Sequence, residues 1–431
     1  ASLRLLPSTN TNCRTAAYVS TAYIPANPSE SEKDQPTQWP TFTPPRDSTT
    51  QPLHWPTFSP PRTPVELVDQ AKVSDLKQVR FWGDSKPGQY KDLTKQRIEA
   101  VRSALGPNVT KISRTANILT LSGGGSDGAF GAGLLVGWTE HGDRPQFDFV
   151  TGISTGAMMA PLAFLGSKYD PQLKEAYTTL TTEDVATPQI FAAVIGAAPS
   201  LADTKPLQAL VAKYMTAEML QEIAVEHKKG RILMIGTTNL DAQRSVVWDI
   251  GALAASGHPD ALGLIRKIIL ASAAIPGAFP PVEISVMADG KQYQEMHVDG
   301  GVTRQVFLYP PGFTPKDVDK AIGWKLKRRL FIIRNTKIDP EFAVTKDQLI
   351  PIASRSIATL IKTQGIGDLY QIHSTAKRDG VDYNLAFIPS EFNVVAKDAF
   401  DKEYMNALYR RGYELGRAGY TWHKAPPGLE Q

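Results

Sequence analysis

Apolar and polar positions along this chain fall into blocks with two different periods. Five short apolar runs have the length and composition of strands: Ile118-Leu-Thr-Leu121, Phe147-Asp-Phe-Val150, Ile232-Leu-Met-Ile-Gly-Thr-Thr238, Leu330-Phe-Ile-Ile333 and Tyr383-Asn-Leu-Ala-Phe-Ile388. Helical spacing marks Lys91 to Leu105, which ends before Gly106-Pro107, then Pro206 to Met215 and Leu262 to Ser272. It also marks a closing helix from Phe400 to Gly416, with Tyr404, Leu408, Tyr413 and Leu415 as its apolar positions. Strands alternating with helices predict an α/β fold with a mainly parallel sheet. The expected organisation is a tail over residues 1–64, a helical extension over 65–115 and a main folded body over 116–431.

The tail has its own composition. Nine prolines fall between Gln35 and Pro64, and the segment Gln35 to Arg46 recurs 16 residues later as Gln51 to Arg62. Two copies are too few for a solenoid. Proline favours extended backbone, so the tail reads as a disordered, semi-rigid spacer, with a docking arm anchored by Trp39 and Trp55 as the alternative. The apolar segment Pro188 to Pro199 is too short to span a bilayer and fits either a core helix or a lid.

Composition removes several classes of function. Of 431 residues 42% are hydrophobic and 21% charged, and the net charge of +4 is too mild to argue for nucleic acid. Lys325, Lys327, Arg328 and Arg329 cluster before an apolar run. They read as a solvated turn or, alternatively, as a patch for anionic lipid head groups in a peripheral membrane contact. Cys13 is the only cysteine, which rules out an intrachain disulfide and a cysteine zinc site, and no metal or cofactor is expected. The chain starts at Ala1, which fits a processed form whose signal peptide is gone or an artificial start. Oligomeric state is not encoded in any of these patterns.

Three motifs carry chemistry. Leu121-Ser-Gly123-Gly124-Gly125-Ser-Asp127-Gly128 follows a strand and opens a helix, so its amides can face a phosphate or an oxyanion. Gly123, Gly125 and Gly128 also match a dinucleotide fingerprint, with Asp148 near the place of a ribose-binding acid, so a nucleotide-binding oxidoreductase is a rival reading. Gly152-Ile-Ser154-Thr-Gly156 lies between a strand and a helix, the setting of a nucleophile elbow, and makes Ser154 the candidate nucleophile. Last comes Glu295-Met-His297-Val-Asp299-Gly300-Gly301. Asp299, on a glycine turn, can serve as a direct base, and His297 two residues earlier points the same way on an extended strand.

Taken in order, the Gly-rich loop, G-x-S-x-G and Asp-Gly-Gly resemble the patatin-like phospholipase family, as does the block Ala271 to Pro281 ahead of Asp-Gly-Gly. The resemblance implies a three-layer α/β/α core and lipid ester hydrolysis without metal. It implies Ser154 as nucleophile, Asp299 as base and the amides of Gly123, Gly124 and Gly125 as oxyanion hole, with Gly152 and Gly156 flanking the elbow. Many relatives carry Arg or Lys where this chain has Asp127, which places a negative charge beside the loop and questions a preference for phosphate-bearing substrates. The similarity to bacterial envelope relatives implies an envelope or secreted location, with the cytoplasm still open. A carboxylesterase or thioesterase on soluble esters and a catalytically silent lipid-binding protein are the remaining alternatives.

Overall fold

All five apolar runs enter one nine-stranded sheet in the computed structural model. The structure describes residues 60–74, 76, 79–85, 94–95, 98–99, 102–103, 115–185, 187–188, 202–309, 313–323 and 325–429. The strands are β1 (Arg80–Trp82), β2 (Thr115–Leu121), β3 (Phe149–Gly152), β4 (Ile232–Asn239), β5 (Arg244–Asp249), β6 (Val282–Ala288), β7 (Lys291–Asp299), β8 (Lys327–Lys337) and β9 (Asp382–Ile388). Their order is β1-β5-β4-β3-β2-β8-β9, and β7 pairs with both β4 and β6. The five strands from β4 to β9 in that order run parallel. The remaining pairings are antiparallel.

Alternation along the central strands builds two cores. Leu119, Leu121, Phe331 and Ile333 face one side, where Phe130, Leu134, Met405 and Leu408 cover them. Ile118, Leu330 and Ile332 face the other, against Leu369, Ile372 and Ala376. Both faces are buried, which is why these strands read as unbroken apolar runs. The helices that cover them include α1 (Gly128–His141), α2 (Thr155–Leu165), α3 (Lys205–Tyr214), α4 (Ala261–Ser272), α5 (Leu349–Asp379) and α6 (Lys402–Arg417). Helix, sheet and helix form the three expected layers.

Several boundaries differ from the sequence expectation. β3 starts two residues later than Phe147, because Asp148 caps the strand's entry: its carboxylate accepts the Asn117 amide at 2.7 Å. The extension over 65–115 is not helical throughout, since Arg80–Trp82 is a sheet strand; residues 94–95, 98–99 and 102–103 are helical. Contacts with the body begin before Val65. Gln294 of β7 donates to Pro61 O at 2.9 Å, and Arg62 pairs with Asp241 at 2.7 Å. The proline-rich repeat before residue 60 and most of Pro188 to Pro199 lie outside the described residues.

The closing helix forms where expected, but with a different buried face. Met405, Leu408, Tyr409, Gly412 and Gly416 are buried, whereas Tyr404, Tyr413 and Leu415 are only partly so. The reason is close packing of α6 on α1. A Cβ on Gly133 would lie 2.1 Å from Tyr409 O, on Gly137 2.1 Å from Tyr413 O, on Gly412 2.3 Å from Phe130 O and on Gly416 2.4 Å from Leu134 O. Glycines four apart on each helix let the two backbones touch. This seam fixes the helix that opens at the Gly-rich loop, so Gly412→Ala is expected to lower unfolding free energy by about 1–3 kcal/mol, as overpacked cores do. Urea denaturation at neutral pH checks this, and an unchanged midpoint would show that the helices separate without cost.

Candidate active site

The parallel strands finish at one edge, the edge at which open α/β sheets bind ligands. β3 ends at Gly152, level with Leu121 of β2 and Ile235 of β4. α2 begins three residues later, and Ser154 occupies the turn with φ 55° and ψ −124°. Few residues other than glycine adopt such a φ. The Gly156 amide donates to Ile153 O at 2.7 Å and the Ala157 amide to Ser154 O at 2.8 Å. The Ser154 amide donates to Ser272 Oγ at 2.9 Å, and that hydroxyl donates to Gly236 O at 2.7 Å. Side chains are barred on either flank: a Cβ on Gly152 would sit 2.3 Å from Gly156 O, and one on Gly156 2.4 Å from Leu121 O.

β7 brings Asp299 to the same place. Its amide donates to Ala274 O at 2.9 Å, its Oδ1 accepts the Gly301 amide at 2.6 Å, and its carboxyl lies near enough to the Ser154 side chain for that hydroxyl to pull its pKa down. A Cβ on Gly300 would meet Gly236 O at 2.5 Å, so the glycine lets the turn pass close against β4.

The Gly-rich loop closes over these two residues. A Cβ on Gly123 would lie 3.2 Å from that of Ser154. Gly123 donates its own amide to Gln305 O at 3.1 Å, so this expected oxyanion donor is already engaged. The amides of Gly124 and Gly125 donate to no group among the described residues. Gly124, with φ 156°, passes so near β8 that a Cβ would be 2.0 Å from Asn335 O.

Residues 119–310 match the model of the patatin-like phospholipase family. These residues form a patatin-like domain. Among solved structures, VipD from Legionella pneumophila aligns at a TM-score of 0.35 and 13% identity, over 71% of this chain and 66% of that one. Human GIVD cytosolic phospholipase A2 aligns at 0.31 and 9% identity, over 74% of this chain and 56% of that one. The aligned region spans just under two thirds of VipD and little more than half of the human enzyme. No curated protein sequence matches the chain.

In the patatin-like domain the rival residues stand elsewhere. His297 is buried beside the site, but Thr237 Oγ1 holds its Nδ1 at 2.9 Å and Glu295 Oε2 its Nε2 at 3.1 Å. Trp248 Nε1 donates to Thr237 Oγ1 at 2.8 Å, and Arg80 pairs with Glu295 at 2.5 Å. Burial opposes a charge on Glu295, yet His297 and Arg80 outweigh it and hold the acid down at about 2, while burial lowers the His297 pKa. Neutral His297 therefore donates through Nε2 to Glu295 and accepts at Nδ1. Asp148 stands at the entry of β3, at the opposite end of the strand from Gly123, which removes the ribose contact that the oxidoreductase reading requires. Arg328 pairs with Asp319 at 2.6 Å and Arg329 donates to Asn117 Oδ1 at 2.9 Å, so these two of the four clustered cations are engaged within the fold.

Asp127 corrects another expectation. Tyr404 of α6 donates to its Oδ1 at 2.6 Å, and burial pushes its carboxyl up to about 7. The expected full negative charge beside the loop is thus substantially reduced near neutral pH.

Three residues that support the site were not singled out in the sequence, although Ser272 falls in the Ala271–Pro281 block. Ser272 orients the Ser154 amide. Asn335 pins the loop, donating through Nδ2 to Ser122 O at 2.9 Å and accepting the Gly131 amide at 3.1 Å. Gln305 joins the two halves of the site: its carbonyl takes the Gly123 amide, its Nε2 donates to Gly301 O at 3.3 Å, and Asp368 of α5 accepts its amide at 2.7 Å. The polarity of Asn335 after the apolar run of β8 was also a signal in the sequence. An apolar cavity bounded by Met158, Leu162, Tyr177, Val211 and Ile269 opens one helical turn from Ser154 along α2.

Burial pushes the Asp299 carboxyl up to about 7, against the pull of the Ser154 hydroxyl and the Gly301 amide. Its charged form is disfavoured in the fold and free in the unfolded chain, so stability is lost as pH rises from about 4 to about 7. Asp299→Asn removes that titration. The variant is expected to melt higher than the parent above about pH 7, the difference shrinking toward about pH 4. Parallel melting curves across this range would remove the burial argument.

Proposed function

We propose that this chain is a serine acyl hydrolase that cleaves carboxylic esters of lipids, with Ser154 as nucleophile and Asp299 as base. The observation that carries this reading is Ser154 in a constrained elbow, beside a buried acid whose pKa burial raises to about 7. A group with that pKa both accepts and returns a proton near neutral pH. Asp299 takes the Ser154 proton as Oγ attacks the ester carbonyl. The amides of Gly124 and Gly125 stabilise the oxyanion, a large contribution in acyl transfer. Collapse gives acyl-Ser154, and Asp299 protonates the departing alcohol. Water then enters, gives a proton to Asp299 and attacks the acyl group, and collapse releases the fatty acid as Ser154 recovers its proton. The small apolar pocket along α2 is the place where an acyl chain would begin to bury itself.

Ser154→Ala is expected to cut p-nitrophenyl ester turnover by at least about a thousandfold, by analogy with other serine hydrolases. His297→Gln should keep a large fraction of the activity. The pH profile alone does not separate the two groups, because an acid raised to about 7 titrates where imidazole does. Equal damage from His297→Gln and Asp299→Asn would transfer the base role to the histidine. Met158→Trp should shift preference toward shorter esters, read as kcat/KM across chain lengths; an unaltered profile would place the acyl chain outside this cavity.

A further inference from the structure

The first half of α5 stands apart from the body. From Gly365 onward the helix packs along β8 and β9: Gly365 lies against Arg334, Asp368 holds the Gln305 amide, and Leu369, Ile372 and Ala376 enter the core. Residues 349–362 continue beyond the sheet edge on which Ser154 opens, for about 21 Å at 1.5 Å per residue. Leu349 is 82% exposed, Ile352 46%, Ile357 40% and Leu360 70%. Phe342 and Val344, on the segment leading into the helix, are 93% and 85% exposed.

These side chains share a face. At 100° per residue, Ile352, Leu349, Leu360, Ala353, Ile357 and Ile361 cover an arc of about 180°. Arg355 and Lys362 lie together on the opposite side, where Lys362 meets Glu341 Oε2 at 3.0 Å and Arg355 donates to Glu341 O. Between Leu349 and Gly367 the sequence contains no acid. The only charges that residues 349–362 carry themselves are these two cations. Lys362 is paired with Glu341, and Arg355 keeps its charge unpaired by a carboxylate among the described residues. A wide apolar arc on such a helix has the character of one lying in a lipid interface, with Arg355 placed for anionic head groups.

We infer that residues 349–362, with Phe342 and Val344, dock the enzyme on an anionic lipid surface and bring the Ser154 edge to it. This rests on the lipid-hydrolase reading for its purpose, but the docking is measurable without turnover. The full chain is sedimented with phosphatidylcholine vesicles, with and without phosphatidylglycerol, beside a Leu349→Ser, Leu360→Ser double variant. Both substituted side chains are exposed, so hydrolysis of a soluble p-nitrophenyl ester should stay within about twofold of the parent. The parent should bind vesicles more strongly with the anionic lipid, and the variant should lose at least about tenfold in affinity. A parent that binds neither vesicle, or a variant that binds like the parent, overturns the inference. So does light scattering that shows a dimer in the parent and a monomer in the variant, which would give the face to a second copy. Failure of the soluble ester assay in the parent would strike the hydrolase reading alone, since sedimentation reports on the helix either way.

Discussion

The hydrogen bond from the Ser154 amide to Ser272 Oγ holds together what the rest of the site depends on. A serine with φ 55° stores strain, of order 1–3 kcal/mol for such a conformation. Something must prevent it from relaxing. The elbow sits where β3, α2 and α4 meet, and each supplies part of the restraint. Gly152 and Gly156 let the turn close to backbone contact, and Ser272 ties it to Gly236 on β4. Because Ser272 is the last residue of α4, the position of Ser154 is coupled to a helix more than a hundred residues away in sequence.

The same logic extends outward. Asn335 fixes the Gly-rich loop from one side, and Gln305 links that loop to the Asp-Gly-Gly turn from the other. Neither side chain reaches for a substrate in this arrangement. They set the separation between the groups that would, and a buried site needs such fixed partners because unsatisfied polar atoms there are costly. Asp368, at the junction of the packed and free halves of α5, bonds the Gln305 amide. The protruding helix is therefore mechanically continuous with the site.

Much of this was legible from the sequence. Parallel strands buried on both faces leave continuous apolar runs, so β2, β3, β4, β8 and β9 announced themselves. Ser154, Asp299 and the glycines around them could be read because steric limits leave few alternatives at a sharp turn. The antiparallel additions were harder. β6 and β7 alternate and carry Glu283, Ser285, Gln292 and Glu295 among their apolar residues, which blurs the signal. The first half of α5 has an exposed apolar face, and the 31-residue helix went unrecognised. The roles of Gln305, Asn335 and Ser272 were not legible, although Ser272 lies in the Ala271–Pro281 block and Asn335 is a polar residue after an apolar run, because those roles arise from tertiary proximity, with partners up to 213 residues away. The seam between α1 and α6 differs in another way: of the apolar positions Tyr404, Leu408, Tyr413 and Leu415 only Leu408 is fully buried, and glycines make the closest approach.

Arg80 gives the domain an unexpected boundary. The family match begins at residue 119, yet the counter-ion for Glu295, a buried acid four residues before Asp299 on β7, comes from residue 80. Removing one partner of a buried pair strands a charge in a medium that cannot solvate it, at a cost of about 3–5 kcal/mol. The match also stops at residue 310, before β8, β9 and α6, so a fragment cut at its limits would lack Asn335 and the helix that carries Tyr404. The stretch that heredity marks as a module and the stretch that physics can hold as one object are different lengths here. Modular transplantation of this chemistry would need the longer one.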